Sequence, residues 1–193
     1  GMILRSSCKN VVDKDILDDA EEMLNLAGKI FSDDSSEEQL ILESDKPHAL
    51  AWREWSEDAV VFSENGSFEI HGVLDLLEEL KSERVETSDG HFFIETTRAC
   101  TTVDINTGSD TSPAAALKAN LATARDLPRQ LRLRGIGGQI ILDPAPIPKK
   151  DRKIFDTSLR AAFRKDSVET NIVGWTAMGL IEIQRARVRS SWK

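Results

Sequence analysis

Between Ala99 and Asp143 the chain reads ACTTVDINTGSDTSPAAALKANLATARDLPRQLRLRGIGGQIILD. Two apolar runs rich in β-branched residues, Thr101 to Ile105 and Gln139 to Leu142, carry Asp104 and Asp143 at their ends, with one helix-like segment between them. Such composition suits a pleated, half-buried strand. A strand, a helix and a second strand in succession return the chain to the sheet it left. That is how a fold brings two carboxylates together.

The surrounding pattern supports an α/β fold bordering on α+β, with a mixed sheet flanked by helices. Met2 to Arg5, Gln39 to Leu42 and Ala59 to Phe62 read as short strands. Asp13 to Phe31 reads as an amphipathic packing helix, because Ile16, Leu17, Ala20, Met23, Leu24, Ala27, Ile30 and Phe31 recur at three- and four-residue spacing. Trp52 and Trp55 are expected to cover a core edge. Val73, Leu74, Leu77 and Leu80 mark a helix over about His71 to Lys81, after which sheet patterning takes over: Val85 and Thr87, a turn at Ser88-Asp89-Gly90, then Phe92 to Thr96.

Ser112-Pro113 is an N-cap followed by a first-turn proline, opening a helix in which Leu117, Leu121, Ala124 and Leu131 face inward. Pro128 is expected to kink or split it. Lys149 opens another helix to about Asp166, with Phe155, Leu159, Ala162 and Phe163 as its apolar stripe. Two last strands, about Val168 to Val173 and Leu180 to Val188, complete the pattern. The polar run Ser32 to Glu38 is the clearest internal break. The expected organisation is an acidic N-terminal subdomain over 1–65 and a catalytic subdomain over 66–193.

Charge divides the same way. Residues 1–95 hold 8 Lys/Arg against 24 Asp/Glu, whereas residues 96–193 hold 17 against 9. A basic half around the two aspartates suggests a polyanionic partner. Arg125, Arg129 and Arg132 fall on one helix face between the aspartates, and Lys149, Lys153, Arg160 and Arg164 share a face of the next helix. Backbone-phosphate binding needs such basic tracks, although exposed arginines on helices also serve only as solvated faces.

Two carboxylates without histidine or thiolate make a site for a hard cation, Mg²⁺ or Mn²⁺. Asn106, two residues after Asp104, falls on the same side if the strand continues. The combination fits metal-assisted phosphodiester hydrolysis. An aspartate after a strand is also a common turn former or helix cap, and from the residues alone both readings stand.

Other chemistries are not supported. Cys8 and Cys100 are the only cysteines and form no CxxC pair. Arg134 to Ile140, RGIGGQI, is neither a dinucleotide fingerprint nor a Walker loop. His48, His71 and His91 are scattered and no nucleophile motif accompanies them. With no run of 18 or more apolar residues and no signal-peptide layout, a cytoplasmic protein without membrane contact is expected.

Thr102 to Gly108 (TVDINTG), Asn120, Arg129 to Arg134 (RQLRLR), Gly137-Gly138, Ile140 to Asp143 (IILD) and Gly179 to Gln184 (GLIEIQ) together resemble the catalytic region of the ribonuclease E/G family. Phe68 to Thr97 resembles the lead-in to that region, and ILRS near the N-terminus resembles part of the family's 5′-phosphate-sensing subdomain. The resemblance implies a DNase-I-like core beside a ribonuclease-H-like one. It also implies Mg²⁺ held by Asp104 and Asp143, support from Asn106, and internal cleavage of single-stranded RNA leaving a 5′-phosphate and a 3′-hydroxyl. Arg5 and Ser6 match the sensor's arginine-hydroxyl pair. Pro144 replaces the aromatic residue that usually follows the second aspartate, and Glu169 stands where better-known members have a basic phosphate contact. A homo-oligomer is compatible with the resemblance, without the family's zinc-link cysteines. The leading expectation is a Mg²⁺-dependent endoribonuclease core; the alternative is a noncatalytic RNA-binding or assembly module derived from the same fold.

Overall fold

The computed structural model describes residues 3–4, 8, 11–34, 40, 46–48, 51 and 59–190. The expected core-edge tryptophans Trp52 and Trp55, the sensor match Arg5 and Ser6, and most of the strand over Gln39 to Leu42 lie outside the described residues. The chain forms two compact units, Gly1–Val61 and Phe62–Lys193.

In the first unit the described residues contain one long helix, α1 (Asp13–Phe31), with Asp13 and Asp15 in its first turn. Acidic side chains there complement the helix dipole. The periodicity predicts the helix, but none of its residues is buried. Ile3 and Leu4, the described part of the expected first strand, form no strand.

The second unit holds α2 (Ser67–Ile70), α3 (Val73–Lys81), β1 (Arg84–Thr87), β2 (Gly90–Thr96), β3 (Thr101–Asn106), α4 (Pro113–Leu133), β4 (Gly138–Asp143), α5 (Lys149–Lys165), β5 (Thr170–Trp175) and β6 (Ile181–Arg185). The strands form one mixed sheet in the order β1-β2-β3-β4-β6-β5. Only β3 and β4 run parallel; every other pairing is antiparallel. The fold class is α/β, as the alternating pattern predicts. The expected strand over Ala59 to Phe62 does not form: those residues have no regular structure, and Val60, Val61 and Phe62 are exposed. An apolar run becomes a strand only where a neighbour can pair with it.

Each strand of the sheet buries alternate residues. Val85, Phe92, Ile94, Val103, Ile105, Ile140, Leu142, Ile172, Ile181 and Ile183 are buried on one face, where α4 and α5 lie against them with Leu127, Leu131, Phe155, Leu159 and Phe163. The residues between them face away. Thr102, Asp104 and Asn106 of β3, Gln139, Ile141 and Asp143 of β4, and Glu182 and Gln184 of β6 are exposed or half-buried. Within this unit the sheet therefore has one face under helices and one open face.

Two details of α4 depart from its pattern. Its buried side is Ala116, Ala119, Asn120, Thr123, Ala124, Leu127 and Leu131, while Leu117 and Leu121 are only half-buried. Small residues let the helix approach the sheet closely, and the larger leucines are turned toward the flank. Pro128 neither ends nor splits the helix, which runs unbroken from Pro113 to Leu133. The proline removes a single N–H from the ladder, and its buried ring joins the packed side. Ser112 caps the helix as expected, its hydroxyl accepting from the Ala115 N–H at 3.2 Å.

Candidate active site

The parallel pair β3/β4 sets Asp104 directly beside Asp143 as register partners. Neighbouring strands lie about 4.8 Å apart and partnered residues share a face. Both carboxylates therefore stand side by side on the open face, at the carboxyl ends of two parallel strands. This is where open α/β sheets usually gather ligand-binding groups. Asn106, the last residue of β3, donates its side-chain N–H to Asp104 Oδ2 at 2.9 Å. One oxygen of Asp104 is thus held in place while the other stays available.

Asp143 sits above the ordinary carboxylate range, first because burial disfavours its charge and second because the negative Asp104 stands beside it. Two like charges forced together on adjacent strands are the condition that a bound divalent cation relieves. Among the described residues no three His, Cys, Asp or Glu side chains cluster as a metal cage. The two carboxylates are hard oxygen donors, and that pair fits Mg²⁺, which often takes one or two carboxylates and fills the remaining positions with water and substrate phosphate.

The loop that carries Asp143 away from the sheet is anchored from α4. Asn120, fully buried, donates to the Ala145 carbonyl at 2.9 Å and accepts from the Ala145 N–H at 2.9 Å. One side chain thereby satisfies both backbone groups two residues beyond the carboxylate. Pro144, Pro146 and Pro148 restrict the backbone of the same loop.

His91 and Phe93 border the site on the third strand. His91 pairs with Asn106 and Phe93 with Asp104 across β2/β3, and the two rings meet edge to face with centroids 5.5 Å apart. Reading the histidines as scattered overlooks His91. The available signal is the short connection from Thr97 to Cys100, which closes the β2/β3 hairpin and fixes the register that brings His91 opposite Asn106. Arg152 stacks on Trp175 with its guanidinium carbon 4.5 Å from the ring centroid, and Trp175 packs against the buried core on the helix-covered face with Ile181 and Leu142, not beside the carboxylates.

The expected phosphate-binding residues are not brought together with the carboxylates. Arg125, Arg129 and Arg132 are exposed on α4, in the helix layer on the opposite side of the sheet. Helical spacing correctly puts the three on one face, but spacing does not say which side of the sheet that face occupies. On α5, Lys149 and Lys153 are exposed near the helix start, a short loop beyond Asp143. Arg160 pairs with Asp156 at 2.9 Å and donates to the Ile172 carbonyl at 3.1 Å, and Arg164 is exposed near the far end.

A family model described as the Ribonuclease E/G family matches residues 53–188. The chain belongs to the ribonuclease E/G family. Among curated relatives it is 36% identical over 130 residues to Ribonuclease G of Escherichia coli (strain K12), covering 64% of this chain and 27% of that protein. It is 34% identical over 145 residues to Ribonuclease G of Haemophilus influenzae, covering 72% of this chain and 30% of the relative. It is 31% identical over 132 residues to the chloroplastic Ribonuclease E/G-like protein of Arabidopsis thaliana, covering 64% of this chain and 13% of that one. The chain thus spans about a third or less of the curated relatives it matches. Both carboxylates, Asn106 and Asn120 fall inside the residues matched by the family model. No helix among the described residues is long and apolar enough to cross a membrane.

Proposed function

We propose that this chain carries the catalytic region of a Mg²⁺- or Mn²⁺-dependent endoribonuclease. It hydrolyses phosphodiester bonds within single-stranded RNA, leaving a 5′-phosphate and a 3′-hydroxyl, in cytoplasmic RNA processing or decay. The supporting observation is the register of β3 and β4, which sets Asp104 beside Asp143 on an open sheet face with the Asn106 amide on Asp104. Family membership and relatives named as ribonucleases point to the same chemistry.

In this reading Asp104 and Asp143 would hold the cation, and Asn106 fixes the orientation of Asp104. A cation bound there would polarise the scissile phosphate and lower the pKa of a coordinated water. Asn120 keeps the Asp143 loop from shifting, through two bonds to Ala145. The open face beside the carboxylates admits an extended strand, and Phe93 gives an aromatic ring on which an unpaired base can stack. Hydrolysis adds water oxygen to phosphorus as the bond to the 3′-oxygen breaks, and that oxygen takes up a proton.

The test is cleavage of an end-labelled single-stranded RNA in Mg²⁺ by the natural protein that contains this segment, beside an Asp104→Asn plus Asp143→Asn form. Internal cleavage by the first and its loss in the second are expected. Unchanged cleavage by the double variant refutes the assignment. RNA binding with no metal-dependent turnover in either protein supports the noncatalytic RNA-binding module instead.

A further inference from the structure

The groove between α4 and α5 is lined by Arg125, Arg129 and Arg132 on one helix and by Ser158, Ala161, Ala162 and Lys165 on the other, with Pro128 and Asp166 at its base. It encloses about 380 Å³. Its small α5 residues keep the trough open, and its cations come from both walls. The acid at its base is already committed. The Asp166 side chain is 1% exposed and pairs with Arg132 and with the buried Arg185. Arg129 is drawn to Asp126 at 2.8 Å but keeps 58% of its side chain exposed, and Arg132 keeps 40%. Arg125 and Lys165 pair with no carboxylate among the described residues.

Guanidinium groups offer several N–H donors in a planar fork, so an arginine with one edge on a carboxylate still has donors for a phosphate oxygen. No aromatic ring lines the trough. Base stacking is therefore not what this surface offers, and its recognition is of charge along a backbone. The trough lies over the helix layer, whereas Asp104 and Asp143 open on the other face of the sheet.

We propose that this groove is a second RNA-binding surface, separate from the carboxylate face, which holds the phosphate backbone of single-stranded RNA without regard to sequence. The inference rests on RNA being the substrate, as argued above, but requires no catalysis. A strand bound at the carboxylates then has a remote anchor on the same domain.

The salt dependence of binding is the test, measured by fluorescence anisotropy with 2′-O-methyl single-stranded RNA in EDTA, so that nothing is cleaved. Removing one cation that neutralises a phosphate of a single strand lowers the slope of log affinity against log salt by about 0.7. Arg125→Gln combined with Lys165→Gln is expected to lower it by about 1.4, so that the fall in affinity between 50 and 200 mM salt becomes about sevenfold smaller. Lys165→Gln alone should give about half of that change in slope, which keeps the test open if the double variant folds poorly by circular dichroism. Wild-type slopes in both folded variants overturn the proposal. Unmodified RNA assayed in Mg²⁺ separates the two readings: cleavage with wild-type slopes removes the groove and leaves the nuclease, whereas reduced slopes without cleavage leave the groove and remove the nuclease.

Discussion

Replacing Asn120 by leucine should destabilise the second unit, residues 62–193, well beyond what a change of similar volume implies. The side chain is fully buried and makes two 2.9 Å hydrogen bonds, one to each backbone polar group of Ala145, which is itself 3% exposed. Leucine fills nearly the same space, so the cavity term is small, but it leaves a buried N–H and a buried C=O without partners. Each such group costs about 1–3 kcal/mol, giving about 2–6 kcal/mol for the pair before any relaxation that lets water reach the loop. For a unit of about 130 residues, 1 kcal/mol corresponds to about 3–4 °C in Tm, so a fall of about 14 °C is the central expectation. Urea denaturation supplies the free-energy difference and calorimetry the Tm. Asn120→Asp adds a second check. It preserves an acceptor for the Ala145 N–H but sets a second acceptor against the Ala145 carbonyl, and should be at least as destabilising at neutral pH. Because Asp143 lies two residues from the anchor, Mn²⁺ affinity measured on folded Asn120→Leu protein should also fall. A loss below about 1 kcal/mol in Asn120→Leu would refute the reasoning, since it would mean that Ala145 is readily satisfied without Asn120.

Three other perturbations follow from the same structure. Asp166→Asn removes the charge facing Arg132 and the 1% exposed Arg185; leaving Arg185 buried without its counter-ion should cost about 3–5 kcal/mol in urea denaturation. Asp104→Asn removes a neighbouring negative charge, so the Asp143 carboxyl, followed by carbon-13 NMR in metal-free protein, should titrate at lower pH than in wild type. The sign for stability follows from the raised pKa. Asp143 holds its proton more tightly folded than unfolded, a contribution complete below the unfolded pKa and lost as pH rises through the folded one, so Asp104→Asn should lessen the pH-dependent loss. Gly90→Ala should weaken the β2/β3 edge beside Asn106 by at least about 1 kcal/mol in urea denaturation, because Gly90 has φ +153° and an added methyl meets the Asn106 carbonyl oxygen and the Ala119 side chain.

The βαβ stretch is legible because local and tertiary demands agree in it. Val103, Ile105, Ile140 and Leu142 are buried where alternation says they should be, and Ser112 caps α4 where its hydroxyl predicts. Carboxylates at the ends of two such strands must then be neighbours once the strands pair. Elsewhere the answer depends on partners that a local pattern does not contain. Val60, Val61 and Phe62 have strand chemistry without a strand to pair with. Leu117 and Leu121 have the size of core residues, but α4 approaches the sheet through Ala116, Ala119 and Thr123 instead. His91 cannot be joined to Asn106 without the hairpin register. The basic residues show this most clearly, since periodicity assigns Arg125, Arg129 and Arg132 to one face of a helix and is silent on which side of the sheet the helix will lie.

The side of the sheet on which α4 lies determines what the basic residues can do. A carboxylate pair that holds a cation needs the nearby surface free of competing guanidinium groups, which would pair with the acids and neutralise them. Here the sheet itself is the separator. Arginines of α4 and α5 meet Asp126, Asp156 and Asp166 within the helix layer, while Asp104 meets the neutral Asn106 amide on the other face. At 1.5 Å per residue, Arg125 lies about 18 Å along α4 from Pro113 and Ser158 about 13 Å along α5 from Lys149. Since α4 follows β3 and α5 follows β4, both helices begin at the carboxylate edge and run away from it, so the groove starts well back from the acids. On the reading proposed above, a strand engaged by both surfaces would pass around the edge formed by the Pro144–Pro148 loop and the exposed Lys149. Separation by the sheet would then let one domain keep the proposed cation site and the proposed phosphate-binding surface without either titrating the other.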